Sequence, residues 1–199
     1  TAATSDTIID GSSTGDYLGY AMGVGDINSD GKVDLIIGSR AYSSNTGRVY
    51  VYSGQDNYSW TLQQQPLGTT RVSPSVTGEE LQVTGEAGSS FGVSMTTGDL
   101  NADGKVDLAV GARTHTSNTG RVYIFYNDGN YTSGASSADV VIIGEVTGDY
   151  FGNTLAVGDL NADGKTDLAV GAYGNASSAG RTYIFYSDGS YPGAAASAE

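Results

Sequence analysis

The residues best suited to chemistry are oxygen-bearing side chains that recur in three short loops. Each loop reads Asp-x-Asn-x-Asp-Gly-x-x-Asp, which places carboxylate or amide oxygens at positions 1, 3, 5 and 9. Side chains in this alternation can surround a hard cation, because glycine at position 6 permits a sharp turn and position 7 can offer its backbone carbonyl. The predicted ligands are Asp26, Asn28, Asp30, Lys32 (backbone oxygen) and Asp34; Asp99, Asn101, Asp103, Lys105 (backbone oxygen) and Asp107; and Asp159, Asn161, Asp163, Lys165 (backbone oxygen) and Asp167.

The cation that these loops predict is Ca²⁺. An all-oxygen set with flexible geometry suits Ca²⁺, whereas Mg²⁺ requires a tighter octahedron and softer metals prefer thiolate or imidazole ligands. A single loop of this kind could instead be a turn that needs no metal, since Asp and Asn side chains stabilise turns by themselves. Three loops with one spacing favour three structural Ca²⁺ ions.

The loops are part of an internal repeat. Leu18, Phe91 and Phe151 are each followed by glycine, then by a cation loop, an apolar segment and a Gly-Arg-x-Tyr motif. The first two copies are 73 residues apart and the last two are 60 residues apart. A repeat of this length, rich in glycine and tyrosine, is typical of architectures that stack one supersecondary unit on the next.

Each repeat predicts four short strands and no long helix. In the third copy the first three strands are predicted at 151–157, 167–172 and 181–186, and a fourth strand ends each of the earlier copies, at 80–84 and 139–143. Four strands per repeat, with glycine where sheets crowd together, are typical of propeller blades. The predicted class is therefore all-β, with three four-stranded antiparallel β-propeller blades.

The repeats divide residues 1–199, a single propeller segment, into three blades. Blade 1 covers 12–85 with an insertion at about 60–77, and blades 2 and 3 cover 86–144 and 145–191. Residues 5–11 match a fourth strand that has no blade, whereas blade 3 lacks its own fourth strand. Rings usually hold four to eight blades, so the three blades predict completion by another chain or by a longer parent chain. Strand exchange between chains would give a ring or a filament.

The combined motif carries a family resemblance. Phe-Gly, then Gly-Asp-(Leu/Ile)-Asn-x-Asp-Gly-x-x-Asp and then Gly-Arg-x-Tyr resemble the FG-GAP repeat of integrin α-subunit propellers. The resemblance implies a β-propeller on an extracellular protein, with structural Ca²⁺ between the first two strands of each blade. The sequence departs from the pattern at Leu18, which replaces phenylalanine, and in having three repeats instead of the usual seven.

Similar repeats in glycosylphosphatidylinositol phospholipase D and in fungal integrin-like lectins leave alternatives open. The first interpretation is a self-associating, calcium-binding adhesion or structural module whose partners are other copies of itself and an extracellular protein or glycan. The alternatives are a carbohydrate-binding lectin and a non-catalytic accessory domain of a larger hydrolase.

Composition excludes several classes of function. A net charge of −13 and a pI of about 4.1 argue against nucleic-acid partners, because there is no basic stripe to neutralise phosphates. No apolar stretch is long enough to insert into a membrane. The chain has no cysteine, which excludes thiol chemistry and disulfides. It begins at Thr1 without a signal peptide, which we interpret as a processed, secreted product.

The remaining reactive residues do not predict an enzyme. His115 is the only histidine, and its position between two threonines predicts a solvated loop residue and not a catalytic base. Possible glycosylation sites are Asn57, Asn130 and Asn175. Tyrosines in predicted loops could contact a sugar or a protein partner, or could pack on the blades; they are Tyr17, Tyr42, Tyr131, Tyr150, Tyr173 and Tyr191.

Overall fold

A computed structural model describes residues 7–54, 70–72, 79–129 and 134–198. Within these ranges thirteen strands form four sheets. The strands are β1 Thr7–Ile9, β2 Leu18–Gly25, β3 Asp34–Ser39, β4 Arg48–Tyr52, β5 Thr70–Val72, β6 Glu79–Thr84, β7 Ser94–Gly98, β8 Asp107–Ala112, β9 Arg121–Phe125, β10 Val140–Ile143, β11 Phe151–Gly158, β12 Asp167–Ala172 and β13 Arg181–Phe185.

Three of the sheets correspond to the three repeats and are called blades 1, 2 and 3. Blade 1 has the order β2-β3-β4-β6, blade 2 the order β7-β8-β9-β10 and blade 3 the order β11-β12-β13. Neighbouring strands are antiparallel in every blade. The predicted all-β class and the predicted strands are confirmed, and blade 3 has three strands in the described residues.

The second strand of blade 2 is buried on both sides, and those of blades 1 and 3 are mostly buried. β3, β8 and β12 are almost continuously apolar and start at a buried aspartate. Continuous apolar strands of this kind are expected where a sheet is covered on both faces. One core fills the space between blades 1 and 2 and a second fills the space between blades 2 and 3, so each blade buries the face of its neighbour.

Glycine at the start of the third strand lets consecutive blades touch through their backbones. A Cβ atom on Gly47 would lie 2.1 Å from the carbonyl oxygen of Phe91, and one on Gly120 would lie 2.0 Å from that of Phe151. Parallel bridges join these residue pairs. The Phe-Gly and Gly-Arg motifs therefore meet across each interface between blades.

Helical structure in the described residues is confined to short turns. Between the second and third strands each blade has a four-residue turn in which three consecutive residues have left-handed backbone angles, and the described residues also contain two short 3₁₀ turns. The bounds are Tyr42–Asn45, His115–Asn118 and Asn175–Ser178 for the first type, and Ala135–Ser137 and Ala195–Ser197 for the second. In the described part of the chain, no helix has the length and apolarity that crossing a membrane requires.

The segment predicted as an unpartnered strand does form a strand, but it has a partner in the same chain. β1 pairs in parallel with β5, which lies inside the predicted insertion; most of that insertion is outside the described residues. The side chain of Ile9 packs on a cluster formed by Ile37, Tyr50 and Tyr52. Ile142 of β10 likewise packs into the core of the blade that follows it. β1 thus occupies the place of a fourth strand ahead of blade 1.

Candidate metal centres

Each predicted cation loop connects the first and second strands of its blade. The first loop leaves β2 at Gly25 and enters β3 at Asp34. Its sharp reversal depends on two left-handed backbone positions, Ser29 with φ of 59° and Gly31 with φ of 84°. The other two loops have alanine and glycine at these places with the same backbone signs. The same loop shape is therefore repeated three times.

Side-chain oxygens in the loop accept hydrogen bonds from the loop backbone. The amide of Asp30 donates to Asp26 Oδ1 at 3.1 Å and to Asn28 Oδ1 at 2.9 Å. The amide of Gly31 donates to Asp26 Oδ2 at 2.9 Å, and that of Lys32 donates to Asp30 Oδ1 at 2.8 Å. The other loops repeat these four bonds at 2.9–3.0 Å. Positions 1, 3 and 5 are consequently turned into the loop.

The aspartate at position 9 has a structural role that sequence reasoning missed. Asp34 is fully buried, and its two carboxylate oxygens accept the backbone amides of Ile27 and Gly54, each at 3.0 Å. Asp107 and Asp167 make equivalent pairs of bonds. This residue ties the cation loop to the turn after the third strand. The sequence did contain a signal for this role: a carboxylate at the start of a continuously apolar strand is expected to be buried. A buried charge requires hydrogen-bond partners.

Burial and neighbouring carboxylates both act on the position-9 side chain. Burial raises the pKa of Asp34 above its ordinary value, and the negative charges of Asp30 and Asp26 raise it further against the lowering effect of the two amides. Burial raises the pKa of Asp107 as well, with Asp103 adding to the effect. Crowded negative charge carries an electrostatic cost that a divalent cation would offset.

The donor set of the loops fits a hard cation in chemistry. Each carboxylate oxygen that accepts one amide has remaining lone-pair capacity, and oxygen is the ligand that Ca²⁺ prefers. Across 7–54, 70–72, 79–129 and 134–198, no three Asp, Glu, His or Cys side chains converge as a metal-binding group. The structure thus gathers positions 1, 3 and 5 in each loop, while position 9 is directed at backbone amides.

His115 is not a solvated loop residue, so that expectation is wrong. Its Nε2 lies 2.9 Å from Glu86 Oε2, and Glu86 Oε1 also accepts the hydroxyl of Tyr123 at 2.7 Å and the guanidinium of Arg121 at 3.2 Å. Arg121 and Tyr123 belong to the Gly-Arg-x-Tyr motif, and strand alternation places them on one face of β9. The arginine and the tyrosine of the motif therefore both donate hydrogen bonds to Glu86, which lies on the segment that leads into blade 2.

The same contact recurs in blade 3, without a histidine. Glu145 Oε2 accepts Arg181 at 2.7 Å and the hydroxyl of Tyr183 at 2.8 Å. In both blades the carboxylate has partners that fix the connection between consecutive sheets. This arrangement accounts for the motif as a packing device.

We expect the substitution Glu86→Gln to lower the free energy of unfolding at pH 7 by about 1 kcal/mol, because solvent screens this partly exposed cluster. Burial alone would raise the pKa of Glu86, but hydrogen bonds from His115 and Tyr123 and the charge of Arg121 hold it below its ordinary value of 4.5. The stabilisation is therefore present above pH 4.5 and is lost as the pH falls further.

Urea denaturation of both proteins between pH 3 and 8 measures this difference. The curves of the wild type and the Glu86→Gln variant should converge at the acidic end. Glu145→Gln is the matched control, with a smaller loss because Glu145 has fewer partners. A constant difference across the pH range would contradict the role of the charge.

The predicted glycosylation sites do not share one environment. Asn175 is only 6 % exposed, and its Nδ2 donates to Asp149 Oδ2 at 2.7 Å. A glycan on that nitrogen would not fit the buried position, so the structure argues against modification at Asn175. Asn57 and Asn130 lie outside the described residues, as does Tyr131.

Most of the predicted loop tyrosines contact another side chain of the protein, and Tyr17 and Tyr173 remain exposed. The rings of Tyr150 and Tyr173 stack with their centroids 4.8 Å apart. Tyr17 and Tyr42 each lie beneath an arginine guanidinium. Tyr191 packs on its blade as well: it is buried, and its hydroxyl donates to the carbonyl of Thr166 at 2.6 Å.

Comparison with known proteins shows similarity to several propeller-containing proteins. The chain is 34 % identical over 191 residues to the bovine phosphatidylinositol-glycan-specific phospholipase D, covering 87 % of this chain and 21 % of that enzyme. It is 31 % identical to integrin alpha-5 of Xenopus laevis, covering 85 % of this chain and 15 % of the relative. It is 35 % identical to rat integrin alpha-7, covering 78 % of this chain and 12 % of the relative. The chain thus spans about a fifth or less of the length of these relatives.

The sequence profile of the FG-GAP repeat matches three stretches, 18–52, 91–125 and 151–185. Each stretch begins at the Leu-Gly or Phe-Gly pair and ends with the third strand of its blade, so it contains one cation loop. Together the three stretches make up more than half of the chain. The chain belongs to the FG-GAP repeat family, and its three sheets are blades of the β-propeller type.

Proposed function

We propose that this chain is a non-enzymatic, extracellular propeller segment that binds three structural Ca²⁺ ions, serves adhesion or structure, and associates with other copies of itself. The observation that supports calcium binding best is the threefold recurrence of one loop shape. In each loop the oxygens at positions 1, 3 and 5 are oriented by the same four hydrogen bonds.

Calcium would act on the stability of the blade and not on a reaction. Asp26, Asn28 and Asp30 would hold the ion together with the backbone oxygen of Lys32, and Asp34 would complete the site. The bound ion would neutralise a loop whose carboxylates lie close enough to shift the pKa of Asp34. Three divalent ions would offset about half of the net charge of −13. The rigid loops between strands would then keep a fixed shape.

Isothermal titration calorimetry tests the calcium proposal directly. We expect about three Ca²⁺ per chain, and an excess of chelator should lower the melting temperature by at least about 10 °C. Asp103→Ala should remove one site, because it deletes an oxygen ligand of the second loop. Asp103 is exposed, so the substitution spares the core. Asp128→Ala, outside the loops, is the matched control and should keep all three sites. Identical melting with calcium and with chelator would refute structural calcium binding.

The adhesive or structural role rests on the family and on the absence of a catalytic set in the described residues. The single histidine contacts Glu86, and Glu86 and Glu145 on the connecting segments each accept hydrogen bonds from an arginine and a tyrosine. The integrin relatives share the repeat with this chain. By analogy with those cell-surface relatives, loops at the blade edges would contact an extracellular protein or glycan.

One alternative has an observation in its favour. The bovine phospholipase D matches most of this chain over only 21 % of its own length, which would suit a non-catalytic accessory domain attached to a hydrolase. The mass of the native protein separates the two readings. A native chain that carries a separate hydrolase domain would favour the accessory role, whereas a chain made of FG-GAP blades alone would favour the adhesive or structural role.

A further inference from the structure

The face of blade 3 that points away from blade 2, called its rear face, is exposed to solvent. The front face of a blade is the one on the opposite side, toward the start of the chain. In the interfaces inside the chain, Ile27 of blade 1 is 1 % exposed and Leu100 of blade 2 is fully buried, each against the next blade. The residue at the same position of blade 3 is Leu160, which is 52 % exposed. Thr182 is exposed where its counterpart Val122 is buried. Blade 3 therefore presents the rear half of an interface that the chain completes twice elsewhere.

The inner part of the opposite face, on blade 1, is bare as well. Met95 of blade 2 is 9 % exposed because it packs on blade 1, beside Gly23 and Gly38. Its counterpart on β2 is Met22, which is 66 % exposed. Tyr20 and Val24, which alternate with it along the strand, are exposed too. Blade 1 thus presents the front half of the same interface.

The glycine that contacts the next blade in blades 1 and 2 has an equivalent in blade 3, Gly180, which no other blade contacts in the described part of the chain. Gly180 has φ of +79°, like Gly47 and Gly120, but the nearest atom to a Cβ placed there is the Cα of Tyr173, at 3.8 Å. A groove of about 420 Å³ lies beside Gly180 and Gly171. In the internal interfaces this space receives the backbone of Phe-Gly. The equivalent pair at the front of blade 1 is Leu18-Gly19.

The strand edges agree with this arrangement. β13 pairs only with β12 in the described residues, so its outer edge has no fourth strand. β1 holds the place of a fourth strand ahead of blade 1 and pairs with β5 along one edge. If β1 paired with β13 as β10 pairs with β9, Asp10 would lie opposite Arg181, just as Ile143 lies opposite Arg121.

We propose that the rear face of blade 3 binds the front face of blade 1 in a second copy of the chain, with Leu18-Gly19 seated on Gly180. This inference rests on the self-association proposed above and identifies its contact surfaces. The occupant is a second copy because the two bare faces are the matching halves of an interface already present between blades 1 and 2 and between blades 2 and 3. Calcium should strengthen the contact, since each copy carries a net charge of −13.

Sedimentation equilibrium in calcium-containing buffer tests the two faces separately. We expect the wild type to associate, and Met22→Glu or Thr182→Glu to weaken association about tenfold or more, because each places a charge in the contact. Both residues are exposed in the single chain, so folding should be retained. A mixture of the two variants should recover a heterodimer, since each variant keeps one intact face. Val146→Glu is the control at an exposed apolar residue outside both faces.

A disulfide between copies tests the geometry. The chain has no native cysteine, so Asp10→Cys and Arg181→Cys chains can be mixed and oxidised. A mixed disulfide dimer is expected, and Asp10→Cys with Val146→Cys should give none above background. A monomeric wild type, or face variants that associate like the wild type, would overturn the proposal. Calorimetry on the same samples shows separately whether calcium binding holds.

Discussion

Replacing Asp107 with alanine should lower the free energy of unfolding by about 3 kcal/mol, even when calcium has been removed. Asp107 is fully buried in the central blade, and its carboxylate accepts the backbone amides of Leu100 and Asn127, each at 2.8 Å. Alanine would leave both amides without a partner inside the protein. Each buried amide that loses its acceptor costs about 1–3 kcal/mol, and the relieved burial of a carboxylate offsets part of the loss.

Denaturation by urea in excess chelator measures this effect, and Asp103→Ala is the matched control. Asp103 belongs to the same loop but is exposed, so its replacement should cost less than about 1 kcal/mol without calcium. With calcium present, both variants should lose the stabilisation that the second loop provides. If the two substitutions were equally mild in chelator, the tie between the loop and the turn after the third strand would not be the stabilising contact described above.

Replacing Gly120 with alanine should destabilise the protein far more than the same change at Gly180. Both glycines start the Gly-Arg-x-Tyr motif and both have left-handed φ, 85° and 79°. The left-handed backbone costs about 1 kcal/mol for alanine at either position. At Gly120 the new Cβ would also lie 2.0 Å from the carbonyl oxygen of Phe151, which would force blades 2 and 3 apart.

The difference between the two variants isolates the cost of separating the blades. We expect it to be at least about 2 kcal/mol in urea denaturation at a chain concentration low enough to keep the protein monomeric. Gly47→Ala should behave like Gly120→Ala, because its Cβ would lie 2.1 Å from the carbonyl oxygen of Phe91. Equal losses at Gly120 and Gly180 would mean that backbone strain alone governs these positions and that the close approach contributes nothing.

The repeat and its strands could be read from the sequence because they depend on local patterns. Each of these patterns lies within about ten residues of the chain. They are a glycine at a left-handed position, oxygen side chains in a turn and an unbroken apolar run. The second strand of blade 3 begins and ends where it was predicted, at Asp167 and Ala172. The all-β class and the blade architecture followed from the repetition of these patterns.

Contacts between distant residues could not be read in the same way. The loop pattern presents Asp34 as a ligand equal to Asp26, but burial and the amide of Gly54, twenty residues away, give it a structural bond. His115 was predicted to be a solvated residue because it lies between two threonines in a loop. Its partner Glu86 is 29 residues earlier, and only the packing of blade 2 brings the two together.

The sequence by itself determined the family, the strand order within each blade and the oxygen-rich loops, since these depend on neighbours along the chain. The tertiary structure decided which polar residues are buried and which sheet faces are covered. It paired β1 with β5 and left Leu160 and Met22 exposed at opposite ends. The physical reason is that burial depends on how the blades stack. Residues at the same position in different repeats are buried or exposed according to whether another blade lies against them.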